Sequence, residues 1–115
     1  MVELAWLALM DRFGGIEDYS GYEEARAFAW HRQLHIFLHP FYYVEYGIAQ
    51  LGALQMWRHA RGNAGKAVDL YLTGLSLGGS RSLPHLFAAA GLKFAFGAAT
   101  IRPLVDYVGA VLANR

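Results

Sequence analysis

Apolar side chains recur every three to four residues along most of the chain, which is the spacing of helices with one buried face. Glycine, proline and small polar residues divide the pattern into six predicted helices, and no segment has the alternation of a strand. The predicted helices cover about residues 2–13, 21–37, 41–60, 64–77 after Asn63 as N-cap, a short one capped by Ser82, and a last one capped by Thr100. The predicted fold class is therefore all-α.

Three of the predicted helix ends rest on specific capping chemistry. Gly14 follows the first helix, where glycine accepts the left-handed cap conformation. Ser20 and Glu23 have the spacing of a capping box, which predicts the start of the second helix. Pro40 restricts the residue before it, so we expect a break at His39 and a new helix with Pro40 in its first turn.

Length and charge limit the classes of protein to consider. A chain of 115 residues suits one domain, and we take residues 1–115 as a single helical domain. Ten basic and nine acidic residues give a net charge of +1 without a basic run, so nucleic-acid binding is not expected. There is no cysteine, which excludes disulfides and thiolate metal sites. The first residues lack the features of a secretion signal, and we expect a cytoplasmic protein.

The hydrophobic fraction is high, at 56%. The longest stretches without a charged residue span only 12 residues, such as residues 46–57, whereas a membrane-spanning helix needs about 18 to 20 apolar residues. We therefore expect no membrane span. The apolar surplus belongs either to an unusually apolar core or to a surface that meets a partner.

Two histidines four residues apart, His31 and His35, would project from one face of a helix as zinc ligands do. A zincin needs Glu directly after the first histidine, and here that residue is Arg32, a permanent cation. His39 extends the row, but Pro40 disturbs the geometry there. We interpret the row as surface histidines and expect no metal site in this chain.

Tyrosines crowd the start of the third predicted helix. Tyr43, Tyr46 and Gln50 would share one face, with Tyr42 beside it. Buried phenol hydroxyls need hydrogen-bond partners, so such a cluster suits a polar cleft, but it also suits an aromatic core whose hydroxyls reach the surface. Composition and spacing leave both interpretations open.

Other residues indicate close contacts. Gly47 and Gly52 are poor helix formers, which predicts a close approach along that helix, and a packed helix explains this as well as a substrate does. Four aromatic residues without polar neighbours are expected in the core: Trp30, Trp57, Phe87 and Tyr107.

The string QLHIFLHPFYYVEYGIAQLGALQMWR, residues 33–58, closely resembles the C-terminal part of the oligoendopeptidase F branch of the M3 family of zinc metallopeptidases. The resemblance continues upstream through Trp30 and downstream through residues 67–79 and 88–92. It implies a helical peptidase in which an HExxH helix and a further Glu hold zinc, opposite a cleft wall that carries a histidine and tyrosines.

The resemblance also implies roles for individual residues. His35 matches the family's substrate-contacting histidine, and Tyr43 and Tyr46 match its tyrosines. We choose Tyr46 as the catalytic donor to the oxyanion, and assign His35, Tyr42 and Tyr43 to substrate binding. Glu45 matches the family as well, without an assigned role.

The sequence departs from the family because it contains no HExxH. The family's HExxH helix and further Glu would lie before residue 1, so we expect this chain to supply substrate-side groups and no metal ligands. Zinc is then the cofactor of the complete enzyme and not of this chain alone. The expected partners are short peptides and the HExxH-bearing segment or chain, and activity of the isolated chain is not expected.

A second hypothesis needs no metal. The same face and the apolar surplus suit a non-catalytic helical module that binds peptides or partner helices, or that forms a homo-oligomer.

Overall fold

The computed structural model describes residues 1–114, which form seven α-helices and one 3-10 helix without a strand. The helices are α1 (Val2–Phe13), α2 (Glu23–Ala27), a 3-10 helix (Ala29–Arg32), α3 (Leu34–Leu38), α4 (Val44–Gly62), α5 (Ala64–Ser76), α6 (Leu83–Ala89) and α7 (Ala98–Ala113). The all-α prediction is confirmed. Arg115, the last residue of the predicted domain, lies outside the described residues.

The chain divides into two compact units, Met1–Tyr43 (unit 1) and Val44–Arg115 (unit 2). Each unit is described by itself below. That the two fold as one domain stays a prediction.

In unit 1, α1 contacts α2 through one hydrogen bond and one ion pair. The indole N–H of Trp6 donates to the backbone carbonyl of Arg26 at 3.0 Å. The Arg26 guanidinium lies 2.6 Å from a carboxylate oxygen of Asp11. This ion pair is largely exposed, so it fixes the position of α2 more than it stabilises the fold.

The second predicted helix, residues 21–37, is wrong as a continuous element. The chain leaves helical geometry at Phe28 (φ −103°, ψ 6°) and at Gln33 (φ −84°, ψ 79°). A 3-10 helix aligns side chains three residues apart, and the rings of Phe28 and His31 stack there at 5.4 Å. Trp30 and Phe37 stack at 5.7 Å across the second break. Aromatic packing accompanies both interruptions.

The predicted capping box does not form. The Ser20 hydroxyl and N–H donate to the Asp18 carboxylate at 2.6 and 2.9 Å, which lowers the pKa of Asp18, so Ser20 does not cap a helix. The Glu23 carboxylate accepts from the N–H of Gly21 at 3.0 Å and not from that of Ser20, as a capping box would require. The N-cap of α2 is Tyr22.

The break at His39 is confirmed, but the restart at Pro40 is wrong. His39 is the C-cap of α3, and α4 begins only at Val44. The N–H of Tyr42 donates to the carbonyl of His39 at 3.1 Å, which closes a turn. Phe41 has φ +65° within that turn, a left-handed conformation that cannot belong to an α-helix.

In unit 2, α4 packs against α5 and α7, and α5 packs against α6. Few of the described residues are buried in this unit: Gly52, Gln55, Ala67, Ala90 and Leu104. A Cβ on Gly52 would lie 3.0 Å from Phe87 Cζ, which confirms the predicted close approach at this glycine. Beyond its chain neighbours and the backbone of its own helix, a Cβ on Gly47 would meet no described atom within 4 Å, so no helix packs closely there and an approach by substrate stays a prediction.

The predicted aromatic core is also partly wrong. Trp57 is 36% exposed and lies at the surface of unit 2, with its ring 5.4 Å from that of Tyr107. Trp30, Phe87 and Tyr107 are half-buried. The helices of unit 2 approach through glycine and alanine, which leaves less room for large rings between them.

The predicted asparagine cap is confirmed, whereas the predicted glycine cap is correct in position but not in conformation. The Asn63 side chain accepts from the N–H of Lys66 at 3.0 Å, which confirms it as the N-cap of α5. Gly14 does end α1, but in an extended conformation (φ −64°, ψ 166°) and not the left-handed one predicted.

The two remaining predicted caps differ from the structure. Ser82 occupies the N-cap of α6, but its hydroxyl lies 2.7 Å from His85 Nδ1 and makes no cap hydrogen bond. The N-cap of α7 is Gly97 and not Thr100.

Among the helices of residues 1–114, none has the length and apolar character of a membrane-spanning segment.

Candidate functional site

Three of the predicted site residues lie together in unit 1. The His35 ring meets the Tyr43 ring edge-on at a centroid distance of 5.4 Å and lies nearly parallel to the Tyr42 ring at 6.4 Å. His35 projects from α3, and the two tyrosines follow in the turn that Pro40 and Phe41 create. The chain therefore leaves helical geometry at the same place where the His35 imidazole and the two phenols come together.

His39 also belongs to this group, although no site role was predicted for it from the sequence. Its ring centroid lies 6.0 Å from that of His35 and 6.1 Å from that of Tyr42. The two histidines are four residues apart, and the N–H of His39 donates to the carbonyl of His35 at 3.1 Å. The helical spacing of the two histidines was the sequence feature that indicated this neighbour.

The fourth predicted residue, Tyr46, belongs to unit 2. It lies in the first turn of α4, with Gln50 one turn further along the same helix. Tyr43 precedes α4, so that helix carries only Tyr46 and Gln50 at helical spacing, and the face shared by all three residues stays a prediction.

The phenols of this segment are not buried. Tyr42, Tyr43 and Tyr46 are 54%, 53% and 51% exposed, and His35 is half-buried. A ligand can therefore reach these side chains within their own units. An imidazole and phenol hydroxyls both donate and accept hydrogen bonds, as recognition of a peptide backbone requires.

The predicted helical pairing of His31 with His35 is wrong. His31 lies in the 3-10 helix, where its ring contacts Trp30 at 4.1 Å, and Gln33 interrupts the backbone before α3. No group of three or more His, Asp or Glu side chains within residues 1–114 could hold a metal ion.

Comparison of the chain with models of known protein families, with curated protein sequences and with solved structures gave no match. The resemblance to the M3 peptidases therefore rests on the residues quoted above, and the functional conclusion is a proposal.

Proposed function

We propose that this chain forms the substrate-side wall of an oligoendopeptidase F-like zinc metallopeptidase that hydrolyses short peptides. The observation that carries the proposal is the grouping of the His35, Tyr42 and Tyr43 rings at 5.4 and 6.4 Å. These residues lie in the same segment that carries the sequence resemblance. Their half-exposed side chains are available to a bound peptide.

In this proposal the side chains of the group have two tasks. His35, Tyr42 and Tyr43 hold the peptide by hydrogen bonds and ring contacts. The Tyr46 hydroxyl donates to the oxygen of the scissile carbonyl as negative charge develops on it. A donor placed for that charge stabilises the transition state more than the substrate, which raises the rate of the chemical step.

The metal ligands come from elsewhere in the proposal. An HExxH-bearing segment or chain holds zinc and supplies the water-activating Glu, whereas this chain contributes substrate binding and the oxyanion donor. The isolated chain then binds peptides without cleaving them. We place the assembled enzyme in the cytoplasm.

A peptide titration of the purified chain tests the substrate wall. We expect an unstructured peptide of about ten residues to bind saturably, and His35→Ala and Tyr43→Phe to weaken binding several-fold. Tyr71→Phe is the matched control, because Tyr71 is 52% exposed but lies in α5, outside this segment. Equal effects of Tyr43→Phe and Tyr71→Phe, or no binding at all, would contradict the proposal.

A second candidate function is a non-catalytic module that binds peptides or partner helices. It is favoured by exposed apolar side chains around the same segment: Leu34, Ile36, Phe37, Leu38 and Phe41. Contiguous apolar exposure of this kind marks interaction surfaces. Peptide binding that is unaffected by chelator, together with no hydrolysis when an HExxH segment is added, would favour this module. A sedimentation mass well above 12.8 kDa would indicate a homo-oligomer.

A further inference from the structure

Unit 2 contains an open cavity of about 930 Å³, remote in sequence from the tyrosine segment. Its walls come from the last turns of α4, the first turns of α5 and α7, and the loop at residues 91–93. This volume lies within the range of small-molecule sites, about 300 to 1,000 Å³.

The cavity collects basic side chains. The protein has two lysines, Lys66 and Lys93, and both line this cavity together with Arg58. No Asp or Glu is among the lining residues of the described chain. Within residues 1–114 the ion pairs are Met1 with Glu3 and Arg26 with Asp11, so none of the three cations forms an ion pair. Three like charges around one cavity repel one another unless an anion enters.

Hydrogen bonds fix the loop that carries Lys93. The Gln55 side chain accepts from the Lys93 N–H at 2.8 Å and donates to the Lys93 carbonyl at 3.0 Å. Gln55 is only 9% exposed, so this reciprocal pair is shielded from water. His59 Nε2 lies 3.1 Å from the carbonyl of Gly91 in the same loop. The backbone of the loop that carries Lys93 is thereby held against α4.

Two helix N-termini at the cavity carry partial positive charge, the same sign as the lysine and arginine side chains that line it. Asn63 and Lys66 line it from the start of α5, and Ala99 and Thr100 line it from the start of α7. Helix N-termini carry partial positive charge, which adds to the attraction for an anion. The Arg58 guanidinium lies 5.6 Å from the centre of the Tyr107 ring, a contact that orients the group and leaves its charge intact.

We propose that this cavity binds a small organic molecule through a phosphate group. A dianionic phosphate matches three cationic side chains around one cavity better than a single carboxylate does. Leu70, Ala67 and Pro103 provide an apolar side for the organic part. A nucleic-acid strand is a poor occupant, because the chain has a net charge of only +1 and no basic track beyond the cavity. This inference does not rest on the proposed peptidase function.

Selective ¹³C labelling of lysine tests the proposal, because both lysine signals report on the cavity. We expect phenyl phosphate, titrated at constant ionic strength, to shift the Cε signals of Lys66 and Lys93 along one saturable curve. Lys66→Gln and Lys93→Gln should each weaken binding at least about tenfold, since each removes a charge-assisted contact. Arg81→Gln is the matched control, because Arg81 is an exposed cation of unit 2 outside the cavity.

Four outcomes would overturn the proposal. Shifts that do not saturate, or equal losses in Lys66→Gln and Arg81→Gln, would indicate nonspecific ion attraction. Benzoate binding as tightly as phenyl phosphate would exclude selection for phosphate. Inorganic phosphate binding as tightly as phenyl phosphate would exclude the organic part of the ligand. Because both lysines are exposed, their variants should retain the helical circular dichroism of the parent, which verifies folding.

Discussion

A single hydroxyl, that of Tyr46, carries the catalytic role proposed for this chain. We expect Tyr46→Phe, in the assembled peptidase, to lower kcat by about 100- to 1,000-fold, because it removes one donor to the oxyanion. KM should change little, since that hydrogen bond strengthens only as charge develops. Steady-state kinetics on a quenched fluorescent peptide measures both constants. A loss of the same size in Tyr71→Phe would show that the effect is not specific to Tyr46.

Phe41 is the one non-glycine residue with positive φ in the described chain, at +65°, and its side chain is 97% exposed. We expect Phe41→Gly to raise the free energy of unfolding by up to about 1 kcal/mol, because glycine adopts this conformation without steric cost. Phe41→Ala keeps a Cβ while removing the ring, so it should give no such gain. Urea denaturation compares the two variants, and a less stable Phe41→Gly than Phe41→Ala would contradict this account.

The left-handed turn at Phe41 could not be predicted from the sequence. Pro40 predicted a break and a helix restart, but nothing in residues 40–43 required a positive φ at a phenylalanine. Tyr42 and Tyr43 lie in that turn, before α4 begins at Val44. The sequence thus indicated the candidate side chains, whereas the turn determines which of them group within unit 1.

At the scale of the helices, substitutions at Gly74 and Gly109 test how closely α5 packs against α6. A Cβ on Gly74 of α5 would lie 2.9 Å from Ala90 Cβ at the end of α6, whereas a Cβ on Gly109 of α7 would meet no described atom within 4 Å. We expect Gly109→Ala to stabilise the protein by about 0.5 to 1 kcal/mol through helix propensity alone.

Gly74→Ala gains the same propensity but forces α5 and α6 apart, and overpacking costs about 1 to 3 kcal/mol. We therefore expect it to lower the free energy of unfolding. Thermal and urea unfolding of both variants measures the difference. Equal stabilisation by the two substitutions would contradict the close packing of α5 against α6.

The helices of unit 2 were predicted more accurately than those of unit 1, for a local reason. Asn63 caps α5, and Gly78 and Gly91 adopt positive φ shortly after α5 and α6 end. Residues 28 and 33 carry no comparable feature, since neither is glycine or proline. The breaks there accompany ring contacts such as Trp30 with Phe37, which depend on packing and cannot be derived from local propensity.

At the scale of the whole molecule, the chain combines a small buried core with many exposed apolar side chains. The buried hydrophobic residues of the described chain are Ala67, Ala90 and Leu104. The apolar surplus seen in the composition is therefore largely at the surface, which supports a role completed by a partner. Both the peptidase proposal and the binding module require such a partner.

Reconstitution of peptide hydrolysis tests the central claim most directly. The purified chain is mixed or co-expressed with an HExxH-bearing segment of an oligoendopeptidase F-like enzyme, and cleavage of a quenched fluorescent peptide is followed with zinc and with chelator. We predict zinc-dependent cleavage by the mixture, none by either part alone, and a large loss with Tyr46→Phe. Association of the two parts without cleavage, or cleavage unaffected by Tyr46→Phe, would contradict the account.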